Sequence, residues 1–150
     1  MRKTAIAILM ALLLLIAFNV SSSAAAPNEF MIGLNSGYPY TLLELEFEYK
    51  NGPWAGGADV AWAGGAMEMG IFGRYYVPLG LGFDFYAAVN PGMVIVFSSV
   101  PPSVKGTIKV GPGFDFRWEH LRVGLEGGML YIFGHTTPNF YIKGGLGVLF

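Results

Sequence analysis

Glu44, Glu46 and Glu48 stand at alternate positions, and Lys50 continues the row. On an extended chain alternate side chains share a face, so this spacing gathers three carboxylates on one side. Such a stripe could hold a cation, or it could meet basic groups from neighbouring segments. Further acids and bases follow at Asp59, Glu68, Arg74, Asp84, Lys105, Lys109, Asp115, Arg117, Arg122, Glu126 and Lys143. They share the odd-even spacing against apolar neighbours, and ion pairing is therefore the expectation. Nucleophilic catalysis has little to draw on. His120 sits in a turn signal, and His135 precedes Thr136 and Thr137 with no serine nearby. A triad needs a nucleophile, a base and an orienting acid in one place. The absence of cysteine excludes a disulfide framework, a thiolate metal site and a lipobox. No metal-ligand spacing is present. Gly111-Pro112-Gly113 and Gly144-Gly145 lie inside alternating runs and make no phosphate loop. No enzyme activity, metal or cofactor is expected.

The composition narrows the class. The chain has 150 residues, enough for one domain. Charged residues are 13% of it, about half of what a soluble domain carries, and mean hydropathy is +0.50. Residues 1–25 read as a secretory signal for Sec export. Arg2 and Lys3 form the basic start, Ala5 to Phe18 the apolar stretch, and Ser21 to Ala26 the small residues of a cleavage site. The cut is expected after Ala24 or Ala25, since Pro27 disfavours one directly after Ala26. Loss of Arg2 and Lys3 leaves seven basic and ten acidic residues, a charge of -3. Nothing in this balance suggests a nucleic-acid partner.

Stepping along residues 26–150, the pattern that must position the charges has period two. Leu43, Leu45, Phe47 and Tyr49 oppose the glutamate stripe. Met67, Met69, Ile71 and Tyr75 oppose Glu68, Gly70 and Arg74. Ile108, Val110, Phe114 and Phe116 oppose Lys109, Gly111, Asp115 and Arg117; Leu121, Val123 and Leu125 oppose Arg122, Gly124 and Glu126. Nine runs can be drawn: 29–36, 40–50, 54–63, 66–77, 79–89, 93–99, 104–118, 121–132 and 138–150. Turn signals separate them, among them Ser36 to Pro39, Asn51-Gly52-Pro53, Gly64-Gly65, Pro78, Asn90-Pro91-Gly92, Pro101-Pro102, Glu119-His120 and Gly134 to Pro138. The apolar parity switches across Gly64-Gly65, which a tight turn or a bulge would explain.

The identity of the two faces sets the environment. One is large, apolar and aromatic on nearly every run. The other mixes charges with glycines, as a crowded lumen requires. A soluble barrel would need many more charges to coat its outside. In lipid every backbone polar group must be paired, so a spanning sheet must close. The expectation is an all-β, closed antiparallel up-and-down transmembrane β-barrel of eight strands, with ten as the alternative, since single-chain bacterial barrels have even numbers. The first run or 93–99 would then merge with a neighbour or lie outside the wall. Tyr38, Tyr40, Trp54, Tyr75, Tyr76, Trp118, Tyr131 and Phe140 are candidates for interfacial girdles.

The stretches Arg74-Tyr75-Tyr76-Val77-Pro78-Leu79-Gly80 and Gly113-Phe114-Asp115-Phe116-Arg117, with the ending Phe140 to Phe150, resemble the small outer-membrane barrels of the OmpA/OmpX/OmpW type. The resemblance is one of architecture and covers residues 26–150. It implies an outer-membrane location, with outer-membrane lipid and the barrel assembly machinery as partners. It also implies that Phe140, Ile142, Leu146, Val148 and Phe150 form the assembly signal.

On these parities the lumen is lined by Glu44, Glu46, Glu48, Asp59, Glu68, Asp84, Asp115 and Glu126 against Lys50, Arg74, Lys105, Lys109, Arg117, Arg122 and Lys143. Eight acids against seven bases would pair across a narrow interior. This predicts a monomeric barrel with a filled lumen, acting as a structural or interaction protein of the cell envelope. The alternative is a narrow channel or carrier for ions or a small hydrophobic ligand.

Overall fold

The computed structural model describes residues 28–39 and 41–150. The expected signal segment 1–25 and the girdle candidate Tyr40 lie outside the described residues. Eight strands follow in order: β1 (Glu29–Tyr38), β2 (Thr41–Asn51), β3 (Trp54–Ala63), β4 (Ala66–Gly80), β5 (Phe83–Val96), β6 (Ser103–Trp118), β7 (Leu121–Ile132) and β8 (Asn139–Leu149). Each pairs antiparallel with the next, and β8 returns to β1, closing the sheet. The seam runs from Met31↔Leu149 to Tyr38↔Ile142. It is extended by Phe150 N–H donating to Phe30 C=O at 2.9 Å and by Phe30 N–H donating to Phe150 C=O at 3.3 Å. Closure leaves no sheet edge unpaired.

The strands form because aromatic and branched residues alternate with small or charged ones, which suits a pleated surface with two unlike faces. Short turns set the register. Ala63 pairs with Ala66 across Gly64-Gly65, with Gly64 at a φ of 57°. Trp62 therefore lies opposite Met67, and both point outward. The parity switch expected there is the work of a tight turn and not of a bulge.

Two expected turns are placed differently. Asn90-Pro91-Gly92 lies inside β5, which joins most of the runs 79–89 and 93–99 into one strand, from Phe83 to Val96, and reduces the count to eight. Asn90, Pro91 and Gly92 all keep partners on β6. On the β4 side the register passes from Gly70↔Gly92 to Gly73↔Val89 without slipping, but the two intervening pairs are missing. Proline has no N–H to give the carbonyl of Ile71 opposite. Pro112 does the same on β6, where the ladder to β7 skips from Val110↔Met129 to Gly113↔Glu126. Both prolines point outward. The second displaced turn is the one expected at Pro78. The strand runs on through Gly80, and the reversal falls at Gly80, Leu81 and Gly82, all with positive φ.

The long alternations hold along the strands. Phe30, Ile32 and Leu34 of β1, Phe47 and Tyr49 of β2, Val123 and Leu125 of β7 and Ile142, Leu146 and Val148 of β8 are all exposed outward. The buried core is the interior of the barrel, and most of it is polar.

Candidate functional site in the barrel lumen

Strand parity sends one charged row inward from each of several strands, and the narrow wall brings the rows into contact. Arg74 on β4 is the centre. It donates through Nη1 to Glu46 Oε1 at 2.6 Å and Glu48 Oε2 at 2.5 Å, and through Nη2 to Glu46 Oε2 and Glu126 Oε2, each at 2.9 Å. Its guanidinium also lies over the rings of Phe72 and Tyr86, at 4.2 and 4.9 Å. Arg122 of β7 reaches the same Glu46 at 2.9 Å and Asp115 at 2.7 Å. Lys143 of β8 donates to Glu44 at 2.7 Å and Glu46 at 3.3 Å and stands 3.8 Å from Glu126.

Toward the end where β1 starts and β8 finishes, Arg117 pairs with Glu29 and lies 3.3 Å from Asp84, 3.4 Å from Asp115 and 3.5 Å from Glu48. Lys50 joins Asp84 at 3.2 Å. Toward the opposite end, Lys109 pairs with Glu68 at 3.0 Å, and Thr107 donates to the same carboxylate. Glu44, Glu46, Glu48 and Asp115 are each at most 2% exposed. Thus Glu44, Glu46, Glu48, Glu68, Arg74, Lys109, Asp115, Arg122, Glu126 and Lys143 are buried inside the wall, while Asp84 and Arg117 are half-buried near one end.

Two acid or base positions depart from the expected pairing. Lys105 is half-buried at the mouth, and its Nζ lies 2.9 Å from Nε2 of His135, not near a carboxylate. Asp59 is 2% exposed, and its partner is the Asn90 amide. Inside the wall the eight acids Glu44, Glu46, Glu48, Asp59, Glu68, Asp84, Asp115 and Glu126 therefore face six bases, Lys50, Arg74, Lys109, Arg117, Arg122 and Lys143.

Sequence parity missed the large side chains that share this interior. Tyr76, expected in a girdle, points inward and is 2% exposed; its hydroxyl bonds Glu48 at 3.0 Å and Asp115 at 3.1 Å. Tyr86 and Tyr141 each donate to Glu126 at 3.0 Å. The signal was present, because Tyr76 lies two residues from Arg74 and so shares its face. Tyr86 needs a bare wall beside it. A β-carbon on Gly113, its partner across β5 and β6, would collide with its ring. The other girdle candidates described, Tyr38, Trp54, Trp118, Tyr131 and Phe140, are exposed near strand ends. Tyr75, half-buried, packs edge-on against Trp54 at 4.7 Å.

Two small gaps lie among these groups. One gap lined by Asn35, Glu46, Arg74, Tyr86, Arg122 and Glu126 measures about 10 Å³, and another beside Glu68, Lys109 and Tyr141 is of the same size. A cavity of about 550 Å³ lies elsewhere, under the 133–138 connection and against the outward residues Ile108, Val110 and Tyr131.

Phe140, Ile142, Leu146, Val148 and Phe150 all project outward from the last strand and its end, between 45% and 73% exposed.

No family model matches the sequence, and no curated protein matches it. Among solved structures the chain is similar to the N-terminal β-barrel domain of Pseudomonas aeruginosa OprF, with a TM-score of 0.61 and 12% identity over 85% of this chain and 100% of that one. It is also similar to Neisserial surface protein A, with a TM-score of 0.54 and 11% identity over 85% of this chain and 98% of the other. At these identities the likeness is one of fold. That fold is a closed eight-stranded antiparallel barrel.

Proposed function

We propose that this chain is an integral outer-membrane β-barrel with a charge-paired lumen, and that it serves as a structural or interaction protein of the cell envelope. The observation that carries the reading is the continuous ion-pair network centred on Arg74, which ties β2, β4, β7 and β8 together across the interior. An apolar exterior on every strand supports the membrane placement, because a surface of Phe, Leu, Ile, Val and Trp is costly in water and favourable in lipid. The aromatic residues near strand ends suit the two interfaces. The similar β-barrel domain and surface protein support the same placement.

The packing supports a filled lumen. Gaps of about 10 Å³ are at the lower limit for a single water. A solute path would require breaking buried pairs whose separated charges are each costly to leave alone. The outer residues of β8 and Phe150 then serve as the signal read by the assembly machinery.

Planar-bilayer recording of the refolded protein tests the lumen. No stable conductance is expected, and a reproducible ion-selective conductance would favour the channel reading. Co-flotation with outer-membrane vesicles tests the location, and recovery in the soluble fraction would remove it.

A further inference from the structure

Asp59 is the buried carboxylate without a lysine or arginine partner among the described residues. It lies on the inner face of β3, opposite Glu46 on β2 and Gly70 on β4. Asn90 reaches it from β5 and donates through Nδ2 to Asp59 Oδ2. That leaves Asn90 Oδ1 buried without a donor, in a residue 3% exposed. Asn90 Oδ1 and Asp59 Oδ1 both hang over Gly70. A β-carbon placed there would collide with the first and come within 2.8 Å of the second. Glu44, one position along from Glu46 on the same face, is 0% exposed and has its Oε2 without a donor. Gly70 faces Gly92 across β4 and β5, so these two strands carry no side chain at this level.

Asp59 and Asn90 thus crowd one region of the interior beside β2, which carries Glu44; Asn90 Oδ1 and Glu44 Oε2 lack donors, and Asp59 has no salt bridge among the described residues. A buried acceptor without a donor is costly, and an uncompensated buried charge more so. Oxygen atoms of this kind suit hard cations. Glu44 already pairs with Lys143 through Oε1, so one charge is left to balance. We propose that Asp59, Asn90 and Glu44 hold a single small monovalent cation, of the sodium class, inside the barrel. This inference rests on the interior geometry and does not depend on where the barrel resides.

The test uses the refolded full barrel in detergent. The temperature at which the folded gel form converts to the unfolded one is measured in sodium chloride and in N-methylglucamine chloride at equal ionic strength. Wild type is expected to convert several degrees higher in sodium. Asp59→Asn keeps a partner for Asn90 and is expected to lose that difference. Asn90→Ala is expected to shift the response to higher sodium concentration. Equal conversion of wild type in the two salts, or a full sodium response in Asp59→Asn, would overturn the proposal. Should Asp59→Asn fail to fold, sodium NMR of wild type decides. A line broader with folded than with heat-unfolded protein supports the site, and equal widths overturn it. A negative result here leaves the conductance and flotation outcomes untouched.

Discussion

Arg74 stands on β4 yet bonds glutamates from β2 and β7, so one guanidinium links strands that are not neighbours in the sheet. Its planar fork suits several carboxylates at once, which a lysine could not match. Arg74→Met would leave Glu46, Glu48 and Glu126 short of their shared cation. A loss of about 3–5 kcal/mol is expected, as for breaking a buried pair, measured by urea unfolding of the refolded barrel. A loss within error of zero would show that Arg122 and Lys143 suffice. Tyr76 contributes differently, because its hydroxyl caps Glu48 and Asp115 while its ring packs against Tyr86 at 5.0 Å. Tyr76→Phe keeps the packing and removes the donor, so a cost of about 1–3 kcal/mol is expected in the same assay.

At the scale of elements, the two prolines set local weak points in an otherwise paired wall. Pro91 opens the β4–β5 ladder and Pro112 the β6–β7 ladder, each without a change of register. Pro91→Ala supplies an N–H opposite the Ile71 carbonyl. The added bond contributes roughly 0.5–1.5 kcal/mol, while the more flexible unfolded chain offsets about 0.4–1 kcal/mol. Global stability should therefore change little. Slower amide exchange confined to the β4–β5 ladder is the expected readout, and unchanged exchange there would mean that the pair stays open for another reason. The closing strand is the second sensitive element. Phe150 makes the last two backbone bonds of the seam and lies 6.3 Å from the Phe30 ring. Deleting it is expected to impair assembly in cells more than refolding in detergent, compared by the fraction of heat-modifiable protein in each. Normal insertion of the deletion variant would remove Phe150 from the assembly signal.

For the whole molecule, closure and the ion pairs of the interior reinforce each other. Eight strands make an interior narrow enough for side chains to cross. The crossing pairs in turn hold the wall from within, in place of an apolar core. The connections are short, with 97–102 and 133–138 the longest. The described strands are therefore joined with little loop surface. Folded protein is expected to migrate on a gel differently before and after boiling, as a closed barrel resists detergent. A single position under both conditions would contradict closure in solution.

The sequence by itself determined the period of the strands, the face of most charges, and the even count of an antiparallel sheet that closes on itself. These are local properties, because alternation along an extended chain needs no partner to be read. Leu43 to Lys50 shows this most clearly, since every charge in that run is buried and most of its apolar residues are exposed. Only the tertiary structure decided which acid meets which base. Glu46 and Arg74 are 28 residues apart and Lys143 and Glu44 are 99 apart, and their meeting depends on strand register and barrel width, which no local pattern carries. The same holds for Asn90-Pro91-Gly92, whose residues read as a turn but are held in strand by pairing with β6. It holds above all for Asp59. Its row of alternating residues put it inside the barrel, but the register of β3, β4 and β5 placed it beside Asn90, with no lysine or arginine among its salt-bridge partners in the described residues.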